Sequence, residues 1–184
     1  MKKRKFAKVF ALLLAMVMVF ALPLEASAAS KVTAVTRDSK AKGVKRGTTV
    51  VTLPKATKKG STYSYVKFKA PATKTYKITL SNLRKSGKSS DSDILAAHSS
   101  LYKRNSWGLS SVNIKLNGKK TSVMYLCSTY SWSIDRAYSS NKKITASTFL
   151  PSRTAAVKLK KGETLYIGMG NIEKAKLCLN LTIK

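Results

Sequence analysis

The sequence predicts an all-β protein folded as a single antiparallel β-sandwich. Apolar and polar residues alternate with a period of two in at least five segments after residue 48, which is typical of strands with one buried face. Turn sequences containing glycine or asparagine separate several of these segments. No long stretch carries apolar residues at the three- and four-residue steps of an amphipathic helix. Antiparallel sheets with one wet face therefore fit the pattern best.

The first 28 residues have the three parts of a secretory signal peptide. Lys2, Lys3, Arg4, Lys5 and Lys8 form a basic start, residues 9–22 are apolar without interruption, and Ala26-Ser27-Ala28 offers a cleavage site. A helix of the apolar run would reach only about 21 Å, short of a hydrocarbon core of about 30 Å. An uncleaved membrane anchor is the alternative. We expect a secreted, extracellular product with no transmembrane segment after cleavage.

The rest of the chain divides into two parts by composition. Residues 29–47 are polar and basic, without a clear period, and are predicted to be a flexible leader. Residues 48–184 are predicted to form the sandwich. Its expected strands cover residues 66–70, 76–80, 112–116, 123–127, 157–159, 165–169 and 177–183, with tight turns at 117–118 and 161–162.

Some of these strands resemble those of a known bacterial family. Residues 65–71 (YVKFKAP) and 76–80 (YKITL) resemble the opening strand pair of pre-peptidase C-terminal (PPC) domains. Residues 159–167 (LKKGETLYI) and 179–183 (LNLTI) are similar to the later strands of that family, although Lys74 stands where its turn usually has glycine. The resemblance implies a jelly-roll-like sandwich and a non-catalytic role in substrate binding, secretion or surface attachment. No protease domain accompanies it here.

Charge is the strongest functional signal in the sequence. The chain has 36 Lys or Arg against 7 Asp or Glu, a formal net charge of +29. Magnitudes of about 2–8 are usual for a small domain. Lys outnumbers Arg 29 to 7, which disfavours specific nucleic-acid recognition, because base and phosphate readers rely on the guanidinium fork. The predicted partner is an anionic wall polymer or an anionic membrane surface. The alternative is that lysine merely keeps the protein soluble.

Six lysines and one tryptophan are the candidate binding residues. Lys67, Lys69 and Lys77 alternate with core residues and are expected to share one outer sheet face. Trp107 lies in a predicted loop, where an exposed ring can stack on a sugar or a base. The other candidates are Lys58, Lys59 and Lys74.

Few residues in the sequence could support catalysis or bind a metal. The chain has a single histidine, His98, and its neighbours Ser99, Ser100, Asp91 and Asp93 make a weak catalytic set. Asp91 and Asp93 lack the glycine and glutamate that would complete a calcium loop. The prediction is a protein that is not an enzyme and has no cofactor or metal. The rivals are a hydrolase built on His98 or a carboxylate pair, and an accessory protein that binds another exported protein through a sheet edge.

The two cysteines, Cys127 and Cys178, both fall in predicted strands. Export would permit a disulfide between them. Cys127 shares the face of Val123 and Tyr125, whereas Cys178 alternates away from Leu177 and Leu179. On neighbouring strands of one sheet they would point to opposite faces, so this parity favours two free thiols over a disulfide.

Overall fold

A computed structural model describes residues 29–57, 60–89, 94–116, 118–129 and 145–184. These residues form thirteen strands and one short 3-10 turn at Asp38–Lys40. The strands are β1 (Ser30–Thr33), β2 (Lys42–Val44), β3 (Gly47–Leu53), β4 (Thr62–Lys69), β5 (Lys74–Lys85), β6 (Ala96–Asn105), β7 (Gly108–Ser111), β8 (Ile114–Leu116), β9 (Lys119–Thr121), β10 (Met124–Cys127), β11 (Ser152–Leu159), β12 (Thr164–Asn171) and β13 (Leu177–Ile183).

Two sheets contain most of the strands and pack face to face. Sheet I has the order β1-β3-β13-β5-β11, and sheet II has the order β10-β6-β12-β4-β2. Strand β7 forms a hairpin with β6, and β8 and β9 form a separate two-stranded hairpin. The all-β sandwich is confirmed. It departs from a purely antiparallel arrangement at two edges, because β1 pairs with β3 and β2 pairs with β4 in parallel.

The core lies between the two sheets and consists of the alternating apolar residues of both inner faces. Phe68 of sheet II and Tyr76 of sheet I meet there edge to face, with ring centroids 5.0 Å apart. Both side chains are fully buried, as are the inner residues of β12 and β13. Burying a large apolar side chain contributes about 1.5–3 kcal/mol each, so this shared core holds the two sheets together.

The chain crosses from sheet II to sheet I between β4 and β5. The Tyr76 hydroxyl donates a hydrogen bond of 2.9 Å to the carbonyl of Ala72 and accepts one of 3.2 Å from the Ala72 amide. The core tyrosine thus fixes the connecting segment, residues 70–73. Since β4 and β5 belong to different sheets, their outward side chains point to opposite sides of the molecule.

The predicted flexible leader is wrong for residues 30–47. Strands β1 and β2 and the 3-10 turn fall in this segment, and β2 pairs with β4 through Gly43↔Lys67 and Val44↔Phe68. Ala34, Ala41 and Val44 are buried. The apolar residues are too few and too widely spaced for the period of two to appear, so their packing against the sheets could not be read from the local sequence.

Threonine dominates the outer face of sheet I. Thr48, Thr182, Thr79 and Thr154 stand in register across four adjacent strands. Their hydroxyls are hydrogen-bonded in two pairs, Thr48–Thr182 at 2.9 Å and Thr79–Thr154 at 2.8 Å. This is the polar, wet side of an antiparallel sheet.

Each predicted strand overlaps a strand of the structure, although residues 70, 112, 113 and 123 lie outside any strand. The turn at 161–162 joins β11 to β12. Leu116 of β8 pairs with Lys119 of β9. The predicted turn at 117–118 falls partly outside the described residues, because residue 117 is not among them. The predicted signal peptide, residues 1–28, also lies outside them. In the part of the chain that the structure covers, no helix has the length and hydrophobicity needed to cross a membrane.

The packing of the N-terminal segment predicts unequal effects of two substitutions in β2. Val44→Ala should lower the free energy of unfolding by about 1–2 kcal/mol, because it removes two buried methyl groups. Lys42→Ala, at an exposed position of the same strand, should change it by less than about 0.5 kcal/mol. Urea unfolding of the mature protein measures both values. Equal effects would show that β2 does not pack on the sandwich.

Candidate binding site on the outer face of sheet II

Strand β12 lies at the centre of sheet II, between β6 and β4, and its register fixes which outward residues are neighbours. The register gives three rows across β6, β12 and β4: Tyr102–Tyr166–Lys67, Ser100–Gly168–Tyr65 and His98–Gly170–Tyr63. Successive rows are about 7 Å apart, since alternate residues of a strand share a face. Lys69 pairs with Thr164 one step beyond the first row. The outer face therefore runs from a basic end to an aromatic end.

The basic end is an open cleft of about 640 Å³. We call it the basic cleft. Its four cations are Lys45, Arg46, Lys67 and Lys69. The rest of its lining consists of Gly43, Val44, Phe68, Pro71, Gly162, Thr164 and Tyr166. The parallel pairing of β2 with β4 brings Lys45 and Arg46 beside the end of β4, where Lys67 and Lys69 project.

The carboxylates near this end are engaged by other cations. Asp38 forms an ion pair with Arg104, and Glu163 forms one with Lys103 at 2.7 Å. The bond from Lys103, together with the backbone amide of Lys160, lowers the pKa of Glu163. Among the described residues, no carboxylate lines the basic cleft and none is in ion-pair contact with its four cations. Their charge is therefore available to a ligand.

The aromatic end is formed by Tyr63, Tyr65, Tyr102 and His98, which we call the aromatic face. Tyr63 is the centre of this group, with its ring centroid 5.3 Å from Tyr65, 6.3 Å from Tyr102 and 5.6 Å from His98. The tyrosine pairs are edge to face, the preferred geometry for aromatic rings. The hydroxyls of Tyr63 and Tyr102 are hydrogen-bonded at 2.9 Å.

Two glycines in β12 make room for these rings. A Cβ atom at Gly168 would lie 2.8 Å from Cε2 of Tyr102 and closer still to Cε1 of Tyr63. A Cβ atom at Gly170 would lie 2.9 Å from Nδ1 of His98 and closer still to its Cε1. Glycine inside a strand often marks such a close approach. The rings thus lie across β12, where side chains would otherwise stand up from the sheet.

A small apolar cluster bounds the far side of the aromatic face. Ala96, Cys127 and Phe149 are buried together there, and Tyr125 packs against them. Tyr125 pairs with His98 across β10 and β6, and its ring centroid lies 5.1 Å from that of Phe149.

Burial shifts two pKa values on the aromatic face. It raises the pKa of the Tyr63 hydroxyl and lowers the pKa of the His98 imidazole. Tyr63 is thus a protonated hydrogen-bonding group and His98 is neutral at pH 7. Ser99 points to the opposite side of β6, where its hydroxyl donates to the carbonyl of Gly168 at 2.8 Å. The structure therefore separates Ser99 from His98, whereas Ser100 lies on the same face of β6 as His98. The other members of the rival hydrolase set, Asp91 and Asp93, lie outside the described residues.

The predicted lysine site is only partly assembled. Lys67 and Lys69 do share one face and both line the basic cleft. The prediction that Lys77 joins them is wrong, because Lys77 lies on β5 and projects from the outer face of sheet I. Lys74 is also on β5, with its ammonium 5.0 Å from the centroid of the Tyr76 ring. Lys58 and Lys59 lie outside the described residues.

Trp107 occupies the turn between β6 and β7, as the sequence predicts. Its side chain is 95% exposed, and its backbone amide donates to Oδ1 of Asn105 at 2.9 Å. Lys103, near the end of β6, pairs with Leu165 of β12. The hairpin tip therefore lies at the same end of sheet II as the basic cleft.

Sequence reasoning missed Lys45, Arg46 and most of the aromatic face. One local signal was available, since Tyr63, Tyr65, Lys67 and Lys69 alternate along β4 and must project together. The other contributors come from β6, from β12 and from the residues just after β2, all of them distant in sequence from β4. Only the strand order brings them beside β4.

Cys127 and Cys178 are both buried and are not bonded to each other. Cys127 ends β10 at the edge of sheet II, and Cys178 lies in β13 of sheet I, where its sulfur is 3.3 Å from the Thr52 hydroxyl. The alternative of a disulfide is therefore wrong. The thiols are separated because they belong to different sheets and both point away from the shared core.

Comparison with known proteins does not assign this chain to a family. No family model and no curated protein matches the chain. A solved structure aligns with this chain at 7% sequence identity and a TM-score of 0.43, and the alignment covers 83% of this chain and 99% of the other. It is CorA, a surface-associated copper-binding protein important in Methylomicrobium album BG8 copper acquisition. A likeness this distant says nothing about what the present chain binds. Within the described ranges, no three His, Cys, Asp or Glu residues are grouped closely enough to hold a metal ion.

The burial of His98 predicts a low titration midpoint. The chain has one histidine, so a single imidazole signal can be followed by NMR against pH. We expect its midpoint to lie below the ordinary value of 6.5. As the pH falls through 6.5, the unfolded chain takes up the proton first, so His98 should reduce stability there. His98→Gln should remove this part of the pH dependence. A midpoint at or above 6.5 would contradict the burial of the ring.

The close approach of the rings to Gly168 predicts different effects of two glycine-to-alanine substitutions. Gly168→Ala should displace the Tyr63 and Tyr102 rings and lower the free energy of unfolding by about 1–3 kcal/mol, as overpacking does. Gly43→Ala is the matched control, because a Cβ atom there meets nothing within 4 Å. Near-ultraviolet circular dichroism should change for the first variant alone. An unchanged tyrosine signal in Gly168→Ala would show that the rings do not lie over β12.

Proposed function

We propose that this protein is a secreted, non-catalytic β-sandwich module that binds anionic cell-surface or extracellular polymers through the basic cleft. One observation carries the proposal. Lys45, Arg46, Lys67 and Lys69 line the same cleft, and no carboxylate of the described residues neutralises them there.

The position of these charges strengthens their effect on a polyanion. A concave surface lined by one sign of charge concentrates the electric field more than a flat surface with the same charges. Each phosphate or carboxylate that a cation neutralises also releases condensed counterions, which favours binding at low salt. A chain with a net charge of +29 attracts polyanions from a distance, and the basic cleft gives them a place to dock.

The type of cation fits a polymer better than a specific base sequence. Three of the four cleft cations are lysines, which act as point charges on flexible stems. Such groups follow a repeating anionic backbone without demanding a fixed geometry. The cleft is open, so a long polymer can lie across it and continue beyond its ends.

Export is part of the same proposal. The basic start, apolar run and small-residue cleavage site of residues 1–28 support secretion and a location at the cell wall. Outside the cell the available polyanions are wall polymers, anionic lipid headgroups and free nucleic acid. The resemblance of several strands to PPC domains supports a non-catalytic role, and it stays a prediction.

The proposal predicts which lysines matter. Lys67→Gln with Lys69→Gln should weaken binding to isolated bacterial cell walls by about 30-fold at 50 mM salt, since each cation near an anionic surface contributes about 1 kcal/mol. Lys77→Gln with Lys158→Gln is the matched control, because it removes the same charge from the outer face of sheet I. Its effect should be less than about threefold. A sedimentation assay with the labelled mature protein measures both.

Salt provides the second part of this test. Binding of the unmodified protein should fall steeply between about 50 and 500 mM salt, and the cleft variant should show a shallower dependence. Equal losses from the two double variants would mean that diffuse charge binds and the cleft does not. Salt-independent binding would move the site to loops such as the one that holds Trp107. No binding at either salt concentration would overturn the proposed function.

A further inference from the structure

We propose that the aromatic face is a sugar-binding surface, so that the polymer in the basic cleft is an acidic glycan bearing phosphate or carboxylate groups. This inference rests on the proposed function and specifies the ligand's chemistry. Sugar rings would stack on Tyr65 and Tyr102, while the acidic groups would pair with the cations of the basic cleft.

The two surfaces are continuous. Tyr166 lines the basic cleft and pairs across the sheet with Lys67 on one side and Tyr102 on the other. Tyr65 is the next outward residue of β4 after Lys67, about 7 Å away. The guanidinium of Arg104 lies 5.2 Å from the centroid of the Tyr166 ring and holds it in place. The ion pair of Arg104 with Asp38 lies beside this ring. A single extended ligand that touches both the cations and the aromatic rings must therefore pass this ion pair.

The rings are presented in a way that suits stacking. Strand side chains ordinarily stand roughly perpendicular to the sheet. Here Cε1 of Tyr63 and Cε2 of Tyr102 approach Gly168, so the edges of both rings occupy the space that a side chain of β12 would take. Tyr65 and Tyr102 are half-buried, with part of each ring open to solvent. Glycine within a strand is destabilising relative to alanine, and the close approach of these rings explains why it stands here.

Polar groups accompany the rings. The hydroxyls of Tyr63 and Tyr102 are joined by one hydrogen bond, and Ser100 is a further hydrogen-bonding partner of Tyr63. Ser100 lies between Tyr102 and His98 on the same face of β6. A sugar presents both an apolar C–H face and a ring of hydroxyls. Tyrosine, with an apolar ring and a polar tip, matches both features.

The distribution of charge favours a glycan over a nucleic acid. The rows Ser100–Gly168–Tyr65 and His98–Gly170–Tyr63 contain no lysine, arginine or carboxylate, and they extend about 14 Å from the first row. A nucleic-acid strand has a phosphate on every nucleotide and is bound by a groove that is positive along its length. A face with cations at one end and uncharged rings at the other suits a polymer with uncharged sugars between acidic groups.

Trp107 extends the aromatic surface past the cleft. Its side chain is 95% exposed at the tip of the β6–β7 hairpin, on the same end of sheet II as Thr164 and Lys69. An indole with almost its whole surface in water has no packing role in the fold. It is positioned to stack on a sugar that leaves the basic cleft at that end.

The test compares polyanions that differ in their sugar content. The probes are glycerol-phosphate teichoic acid carrying sugar substituents, hyaluronan and polygalacturonate, with inorganic polyphosphate as the polyanion without sugar and oligo-dT as the nucleic acid. Calorimetry or biolayer interferometry with the mature protein at about 150 mM salt gives the affinities. We expect at least one glycan to bind about tenfold more tightly than polyphosphate per anionic group.

Substitutions on the aromatic face should separate the two surfaces. Tyr65→Ala and Trp107→Ala should each lower glycan affinity about tenfold, as loss of one stacking contact does, and leave polyphosphate affinity unchanged. Tyr65→Phe keeps the ring and should retain most of the affinity. Thr79→Ala, on the outer face of sheet I, is the neutral control. Trp107→Ala removes a side chain that packs on nothing, so it tests stacking even if Tyr65→Ala fails to fold.

Each outcome decides between the two proposals. Glycans bound no better than polyphosphate, with the Tyr65 and Trp107 variants unchanged, would overturn the sugar-binding inference and leave the proposed function standing. Oligo-dT bound more tightly than every glycan would replace the glycan with a single-stranded nucleic acid. Equal binding of an uncharged chitin oligosaccharide would overturn the acidic character of the ligand. Failure to bind any polyanion would overturn the proposed function itself.

Discussion

The burial of two apolar strand faces against each other is the constraint on which this molecule depends. Its clearest instance is the contact of Phe68 with Tyr76, because these rings come from opposite sheets and meet in the core. The same tyrosine fixes the connection between β4 and β5 through its hydroxyl and the backbone of Ala72. Once this connection crosses the sandwich, consecutive strands present their outward residues on opposite sides.

The outer faces are then free to differ, and they do. Sheet I presents hydrogen-bonded threonines in register across four strands. Along its strands, sheet II presents cations at one end and tyrosines at the other. Its central strand, β12, contributes Gly168 and Gly170 beneath the rings of the aromatic face. The asymmetry depends on β12, because larger residues there would push the tyrosine rings away from the sheet.

The N-terminal segment links the fold to the site. Residues 30–47 add an edge strand to each sheet, and the one on sheet II ends beside the basic cleft. Half of the cleft's cations, Lys45 and Arg46, come from just after that strand. The sequence alone does not reveal strand β2, because three residues are too few to show a period of two. A chain without β2 would keep Lys67 and Lys69 but would present them on an open sheet edge.

The sequence by itself determined the all-β class, most strand positions and the strongly positive charge, since alternation and composition are local properties that need no knowledge of neighbours. It also determined that Lys67 and Lys69 project together, because residues two apart on one strand share a face. Only the tertiary structure decided that Lys77 lies on the opposite side, that both cysteines stay apart, and that Tyr63, Tyr102 and His98 meet over two glycines. The physical reason is that strand order and sheet membership are set by burial of non-local surfaces, and a period of two is the same whichever sheet a strand joins.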